Sequence, residues 1–597
     1  MRTNRITLAV ATALTLAVAG CADRGAPRDA KEQRAEEKDV QQVAVNEPMP
    51  EPPAKSAESQ QQDERKLETI TVAGSRIRRA DLEAAQPVVV FDKATTRAVS
   101  PAYVTNAAPP PQAGYVQPAN TERYQDHADN PVHRTAEDPV STFSIDVDTG
   151  SYANVRRMLR QGQLPPADAV RAEEFLNYFD YAYAPPKTRE TPFSVTTEVA
   201  PAPWNAQRQL MLVGIKGYEV PKSQIPAANI VFLIDTSGSM DSPDKLPLLR
   251  DAFIRMLPNL RAQDRVSIVV YAGSAGLVLP PTPGDQHERI GAALAKLQAG
   301  GSTNGGAGIA LAYATARQAF IKGGVNRVIL ATDGDFNVGT VDDKALETVV
   351  AEQRKSGIAL TTLGFGQGNY NEQLSEQLAD IGNGNHAYID TLDEARKVLV
   401  DELSSTMLTI AKDVKIQVEF NPSLVAEYRL IGYENRRLNR EDFNNDKVDA
   451  GDIGAGHDVT ALYELTLVDS NAPAIDALRY GDATSATRDT KAGELAFVKL
   501  RYKQPESETS TLVEVPIKRD AMASAPSERL RFAASVVAFA DSLRGGTHLG
   551  TFDMAAVARL ARGAKDGDKS GYRDEFVQLV EQAAALQTPK VAAQISR

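Results

Sequence analysis

Residues 228–240 read ANIVFLIDTSGSM, and they give the clearest indication of the fold of the central part of the chain. The run from Ile230 to Ile234 is continuously apolar, as expected of a central strand that is buried on both faces of a sheet. A turn rich in hydroxyl groups follows, and then a helix whose apolar side chains recur at spacings of three and four. Those side chains are Leu246, Leu249, Phe253, Leu257 and Leu260.

Strand and helix patterns continue to alternate from Ala228 to Ala411. Further strands are predicted at 266–271, 328–331, 358–365 and 386–389. Helices are predicted at 288–297, 307–320, 344–355, 372–381 and 393–411. This alternation indicates an α/β fold with a mostly parallel sheet that is covered on both faces. In such sheets, ligands bind at the carboxyl ends of the central strands.

Oxygen-bearing side chains collect at that edge of the predicted sheet. Asp235, Ser237 and Ser239 follow the first strand, Thr303 lies in the loop GGSTNGG, and Asp333 ends the strand VILATDG. Carboxylates and hydroxyls are the donors that a hard divalent cation such as Mg²⁺ prefers. Because hydroxyls carry no charge, such a site leaves positive charge on the metal, which can attract an external carboxylate.

These residues resemble the metal-ion-dependent adhesion site of the von Willebrand factor type A (VWA) domain, whose pattern is D-x-S-x-S, then Thr, then Asp. All five positions match in the expected order. The resemblance implies a Rossmann-like domain in which Ser237, Ser239 and Thr303 ligate Mg²⁺, Mn²⁺ or Ca²⁺. Asp235 and Asp333 would bind the ion directly or through water. The resemblance also implies an unknown protein partner that presents an Asp or Glu to the metal.

The sequence motifs that could indicate an enzyme are incomplete. Ser237 lies on a strand-to-helix turn like a hydrolase nucleophile, but the pattern G-x-S-x-G is absent. The Gly-rich loop 301–306 lacks the Lys that a phosphate-binding loop needs. The sequence Asp148-Thr149-Gly150-Ser151 is interpreted as the cap of a helix at 152–159, because an aspartic protease needs a second such motif. We therefore predict no enzyme activity, with a metal-dependent hydrolase as an alternative.

An acidic loop at 442–452 invites a calcium interpretation. It has Lys447 and Ile453 where an EF-hand needs Gly and Glu. A solvated β-hairpin loop is the prediction, and a looser calcium site stays open.

Composition limits the class of protein. The chain has 597 residues, with 66 Lys and Arg against 78 Asp and Glu, for a net charge of −12. This acidic balance argues against nucleic-acid binding, which normally uses a basic surface. The single cysteine, Cys21, excludes disulfides within one chain and any zinc site built from several cysteines.

The N-terminal region predicts a lipid-anchored envelope protein. A basic start and an apolar run from Ile6 to Ala19 have the pattern of a secretory signal. Val18-Ala19-Gly20-Cys21 resembles a bacterial lipobox, which implies lipidation of Cys21. Because Ala22 is not Asp, resemblance to sorted lipoproteins favours the outer membrane. The polar, Pro-rich composition of 21–120 predicts a disordered tether, within which 68–91 resembles the N-terminal segment of TonB-dependent receptors.

The regions on either side of the α/β domain predict a β-sandwich into which that domain is inserted. Strand patterns occur at 193–199, 210–215, 414–420, 460–467, 495–502 and 512–517, and three helices are predicted within 527–586. The stretches PVHRTAEDPVSTFSIDVDTGSYANVRRML at 131–159 and DAGDIGAGHDVTALYEL at 449–465 resemble the N- and C-terminal regions of bacterial YfbK-like proteins. The resemblance covers residues 121–586. The predicted parts are a signal peptide at 1–20, the tether at 21–120, a flanking region of helices then strands at 121–227, the VWA domain at 228–411, the sandwich completion at 412–520 and a helical region at 521–597.

The leading hypothesis is a cell-envelope lipoprotein whose VWA domain binds a partner protein through a metal. An accessory subunit of an envelope channel or transport complex is an alternative, since similar sequences are sometimes described as relatives of calcium-activated chloride channel proteins. A corollary is mechanical: if the last VWA helix at 393–411 continues into the strand at Val414, ligand binding could shift that helix and reorient the domains.

Overall fold

The computed structural model describes residues 121–145, 148–334, 343–402, 408–476, 493–565, 567–568 and 570–587. The predicted signal, lipidation site and tether at 1–120 lie outside the described residues. The strands are β1 His133–Arg134, β2 Val140–Ser144, β3 Phe193–Ala202, β4 Asn205–Gly217, β5 Ala228–Asp235, β6 Arg265–Tyr271, β7 Ala275–Pro283, β8 Val325–Thr332, β9 Ala359–Phe365, β10 His386–Ile389, β11 Thr409–Phe420, β12 Val425–Ile431, β13 Ile453–Gly454, β14 Asp458–Leu467, β15 Glu494–Lys503 and β16 Ser510–Lys518. The α-helices are α1 Gly150–Arg160, α2 Ala172–Asn177, α3 Leu246–Met256, α4 His287–Ala295, α5 Gly305–Gln318, α6 Asp343–Arg354, α7 Glu372–Ile381, α8 Leu392–Arg396, α9 Glu528–Arg544, α10 Met554–Arg562 and α11 Tyr572–Gln587.

The central domain is a six-stranded sheet in the order β10-β9-β8-β5-β6-β7. All neighbouring strands are parallel except the edge strand β7, which is antiparallel to β6. Alternate side chains of β5 point to opposite faces: Phe232 packs in a core with α3, α4 and α8, and Leu233 packs in a core with α5, α6 and α7. The doubly covered α/β sheet predicted from the sequence is confirmed.

Two elements of this domain differ from the prediction. Strand β7 was not predicted because Pro280, Pro281 and Pro283 lack the backbone N–H that a strand normally donates. An edge strand pairs on one side only, so it tolerates prolines. The helix predicted at 393–411 is wrong at its end. Helix α8 passes into a π-helical turn at Lys397–Asp401, and β11 already begins at Thr409. The predicted domain boundary after residue 411 therefore falls inside a strand of the sandwich.

The flanking strands form the predicted sandwich. One sheet has the order β1-β12-β14-β4-β3, and the other has the order β13-β11-β15-β16 with β2 also paired to β11. Side chains of both sheets, among them Val213 of β4 and Ile416 of β11, share one buried core. The chain enters the VWA-like domain after β4 and returns to the sandwich at β11, so that domain is an insertion. The flanking region begins with the short strands β1 and β2, not with helices as predicted.

The C-terminal helices form a third layer. Met211 and Val213 of β4 face the sandwich core, whereas the alternating Leu210 and Leu212 face a second core. That second core contains side chains of α1, α2 and the three helices α9, α10 and α11. The predicted helices at 527–586 are thus confirmed, and they cover the outer face of one sheet of the sandwich. None of the helices within the described residues has the length and apolar character that crossing a bilayer requires.

Candidate metal centre

The centre begins where β5 ends. Asp235 is the last residue of that strand and is fully buried. Its Oδ1 accepts a hydrogen bond from the backbone N–H of Ser237 at 2.8 Å, which folds the chain back into a tight turn. A short 3₁₀ helix at Gly238–Asp241 follows and leads toward α3. This turn places the hydroxyls of Ser237 and Ser239 3.0 Å apart.

The Gly-rich loop is bonded to this turn through backbone groups. The N–H of Gly300 donates to the carbonyl of Thr236 at 2.8 Å, and the N–H of Gly238 donates to the carbonyl of Gly301 at 3.1 Å. Gly301 has φ of +84°, a left-handed conformation that favours glycine. These bonds bring half-buried Thr303 to the same edge of the sheet as Asp235.

The third loop follows β8 and lies beside the first. The hydroxyl of Thr332 donates to Oδ2 of Asp235 at 3.3 Å, and the next residue, Asp333, is fully buried. Gly334 has φ of +88°, and a Cβ at this position would lie 2.3 Å from the backbone nitrogen of Asn371. The close approach of these two backbones therefore requires glycine directly after Asp333.

All three predicted loops thus converge at one edge of the sheet. The two carboxylates lie at the buried base, whereas Ser239 is solvent-exposed. A ligand could therefore approach from the side of the hydroxyls. The metal-binding role of Asp235, Ser237, Ser239, Thr303 and Asp333 stays a prediction.

The electrostatics of the centre suit a cation. Burial, together with the neighbouring carboxylate of Asp333, raises the pKa of Asp235 to about 6, although the hydrogen bonds from Ser237 act to lower it. A divalent cation would relieve the repulsion between these two buried carboxylates. The donors are oxygen atoms of carboxylates and hydroxyls, the set that Mg²⁺ or Mn²⁺ takes. The residues present therefore fit a divalent metal.

Sequence reasoning missed one charged residue of this centre, Lys245. Its Nζ donates to Oδ2 of Asp333 at 2.9 Å and to Oδ1 of Asn369 at 3.0 Å. The aliphatic part of the side chain lies against Gly366, where an added Cβ would come within 2.3 Å of it. No sequence pattern signals this contact, because Asp333 is 88 residues away and Asn369 is 124 residues away along the chain.

The sequence around Asp148 was predicted to cap a helix, but its side chains make different hydrogen bonds. Thr149 is the N-cap residue of α1 and makes no side-chain cap hydrogen bond. The N–H of Ser151 donates to Glu174, while the carboxylate of Asp148 accepts from the N–H of His386 at 2.6 Å. Asp148 therefore links the flanking region to the α/β domain, a role that the capping interpretation did not foresee.

The acidic loop at 442–452 uses its carboxylates internally. Asp446 pairs with Arg501, Asp449 pairs with Arg354, and Asp442 closes a capping box at Asn439. Within the described residues, a different group of possible metal ligands comprises Asp129, Asp541 and His548. Arg544 already lies 2.7 Å from the carboxylate of Asp129, and its charge disfavours a metal there.

Comparisons with known proteins agree with this architecture. Residues 229–402 match the family model described as von Willebrand factor type A domain, residues 118–212 match one described as von Willebrand factor, and residues 405–586 match one described as Uncharacterized protein YfbK, C-terminal. The chain is 50% identical over 478 residues to the Escherichia coli protein described as Uncharacterized protein YfbK. That match covers 79% of this chain and 83% of the relative.

More distant similarities have lower sequence identity. The chain is 31% identical over 146 residues to human inter-alpha-trypsin inhibitor heavy chain H4, which is 23% of this chain and 16% of that protein. A solved structure described as von Willebrand factor type A from Catenulispora acidiphila is 16% identical, with a TM-score of 0.37, over 65% of this chain and 89% of that one.

Proposed function

The chain belongs to the YfbK family of proteins with a VWA domain, and we propose that this domain binds a protein partner through a divalent metal. The VWA domain indicates a function in protein interaction or adhesion, and such domains commonly bind a divalent metal at the adhesion site. In the proposal, Ser237, Ser239 and Thr303 hold the metal with Asp235 and Asp333. The partner supplies a carboxylate oxygen of an Asp or Glu.

One observation carries the proposal: fully buried carboxylates of Asp235 and Asp333 lie at the base of a site whose outermost hydroxyl, on Ser239, is exposed. Buried charges are normally paired or bound to metal, because their desolvation is costly. Lys245 offsets one of these two negative charges, and a metal would offset the charge that is left. A metal above the carboxylates would be reachable from solvent on the side of Ser239. That arrangement supports binding of an external ligand at the metal.

The proposed location is the cell envelope. The supporting residues are the apolar run at 6–19 and the lipobox-like sequence that ends at Cys21. Lipidation at Cys21 would anchor the protein, and we place it at the outer membrane because Ala22 follows the cysteine. Metabolic labelling with a radioactive fatty acid tests this: wild type should be labelled and Cys21→Ser should not. Equal labelling of both proteins would contradict the anchor.

The partner is tested with purified full-length protein on a solid support. Envelope proteins are applied in Mg²⁺ or in EDTA, to wild type and to Ser239→Ala. Ser302→Ala is the matched control, because Ser302 is an exposed serine on the neighbouring Gly-rich loop. We expect a partner to be retained only in Mg²⁺, and only by wild type and the control. A partner retained equally in EDTA, or by Ser239→Ala, would contradict binding through the metal.

A further inference from the structure

A lysine ammonium is built into the metal centre. Lys245 directly precedes α3, and its Nζ donates to Asp333 at 2.9 Å. The side chains of Lys245 and Asp333 are 7% and 0% exposed, so water screens their attraction poorly. The ammonium donates a second hydrogen bond, to Asn369 on the loop after β9.

The surroundings of Lys245 hold the charge in one place. Gly366 has φ of +73°, and its missing side chain leaves the space in which the Lys245 methylenes lie. The loop with Asn369 and the loop with Asp333 are also in backbone contact, since Gly334 packs against Tyr370 and Asn371. These contacts hold the ammonium of Lys245 in one position within the centre, unlike that of a mobile surface lysine.

The formal charges of the metal ligands and of Lys245 determine the net charge of the loaded centre. The positive charge expected from the neutral hydroxyl ligands does not follow from the five predicted residues alone: with both carboxylates ionised, Asp235 and Asp333 would cancel the charge of a divalent ion. Lys245 offsets one of the two carboxylates. The loaded centre then keeps one net positive charge, which favours an anionic ligand.

We infer that Lys245 tunes the centre for an acidic partner: it weakens metal binding and strengthens the binding of a carboxylate to the loaded metal. This inference rests on the proposed function. The ordinary structural role, in which Lys245 only joins three loops, predicts the opposite effect on the metal. If the lysine merely holds the ligands in position, its loss should weaken metal binding.

The test compares wild-type full-length protein with Lys245→Met, which removes the charge and retains a long apolar side chain beside Gly366. Lys296→Met, at an exposed lysine after α4, is the control. Mn²⁺ affinity is measured by calorimetry at low ionic strength. We expect Lys245→Met to bind Mn²⁺ about tenfold more tightly than wild type, because an adjacent like charge is removed. Lys296→Met should match wild type.

A second measurement uses acetate as the carboxylate probe. Acetate that replaces water on bound Mn²⁺ lowers the relaxation enhancement of water protons. We expect Lys245→Met to need about tenfold more acetate than wild type for the same decrease.

The outcomes separate this inference from the proposed function. If wild type binds Mn²⁺ and Lys245→Met binds it with equal or weaker affinity, the inference about Lys245 is wrong, but the metal centre is still supported. An unchanged acetate response also overturns it. If wild type binds no Mn²⁺ but Lys245→Met does, the ammonium takes the place of the metal in the wild-type protein. Both proposals would then be wrong. Circular dichroism confirms that each variant is folded.

Discussion

The guanidinium of Arg156 in α1 lies 2.8 Å from the carboxylate of Glu394 in α8, and both side chains are almost fully buried. The hydroxyl of Tyr178 donates to the same carboxylate at 2.7 Å, and Arg156 also pairs with Asp390. The last helix of the VWA domain is therefore tied to the flanking helices by a buried network. Any shift of α8 on ligand binding would have to break or carry along these contacts.

Loss of this ion pair should strongly destabilise the protein. Arg156→Met leaves the buried carboxylate of Glu394 without this cation, while Asp390 keeps only the half-exposed Arg160 at 4.0 Å. Loss of one partner of a buried ion pair costs about 3–5 kcal/mol. The free energy of unfolding, measured by urea titration, should fall by this amount. Arg562→Met is the control, because its partner Glu581 and Arg562 itself are half exposed, and exposed pairs contribute about 1 kcal/mol or less. Equal losses in both variants would contradict the structural role of Arg156.

Removal of one exposed ligand should abolish the response to metal without unfolding the protein. For wild type, Mg²⁺ or Mn²⁺ at about 100 times the dissociation constant should add roughly 2.7 kcal/mol to the free energy of unfolding. Ser239→Ala should have a metal-free melting temperature close to wild type, since the side chain is exposed, and a much smaller rise with metal. Ser302→Ala should respond like wild type. A full response in Ser239→Ala would exclude its hydroxyl as an important ligand.

His386 should make the protein sensitive to acid. Burial between Thr362 and Tyr370 lowers the pKa of His386 from 6.5 to about 4. Between these values the unfolded chain binds the proton and the folded chain does not, so stability falls as the pH drops from 6.5 to 4. The full effect is roughly 3 kcal/mol. His386→Asn should show a shallower loss of stability over this window, by denaturant titration at each pH; an unchanged slope would refute the assignment.

Gly334 should tolerate no side chain. Gly334→Ala combines a left-handed backbone with a Cβ that would overlap the backbone of Tyr370 and Asn371. We expect a loss of stability of at least about 1–3 kcal/mol and a weaker response to metal, because Asp333 is the preceding residue. Gly300→Ala is the matched control, since its Cβ would meet no atom within 4 Å. If Gly334→Ala melted like Gly300→Ala, the close contact between the loops would be wrong.

Much of the fold followed from local pattern. The continuous apolar run of β5 and the spacing of leucines in α3 predict their elements directly, and the Asp and Ser residues after β5 predict the convergence of loops. Strand β7 was missed because its prolines are penalised in any strand, while only its edge position makes them acceptable. The end of α8 was misplaced because the apolar residues of 408–411 fit a helix or a strand equally well.

The missed parts of the centre depend on contacts between distant residues. Lys245 has the appearance of an ordinary surface lysine at a helix start, and only the folded loops bring it to Asp333. The same holds for Asp148, whose local sequence indicates a cap but whose carboxylate bonds the backbone of His386. Sequence patterns report what a residue does to its own element, and these two side chains act on other elements.

Anomalous scattering from a crystal of the protein soaked in Mn²⁺ would locate the metal directly. We predict one strong peak among Asp235, Ser237, Ser239, Thr303 and Asp333, with an open position toward solvent on the side of Ser239. The peak should be absent from crystals of Ser239→Ala grown under the same conditions, or much weaker. A peak at Asp129, Asp541 and His548 instead, or none at the predicted centre, would contradict the account.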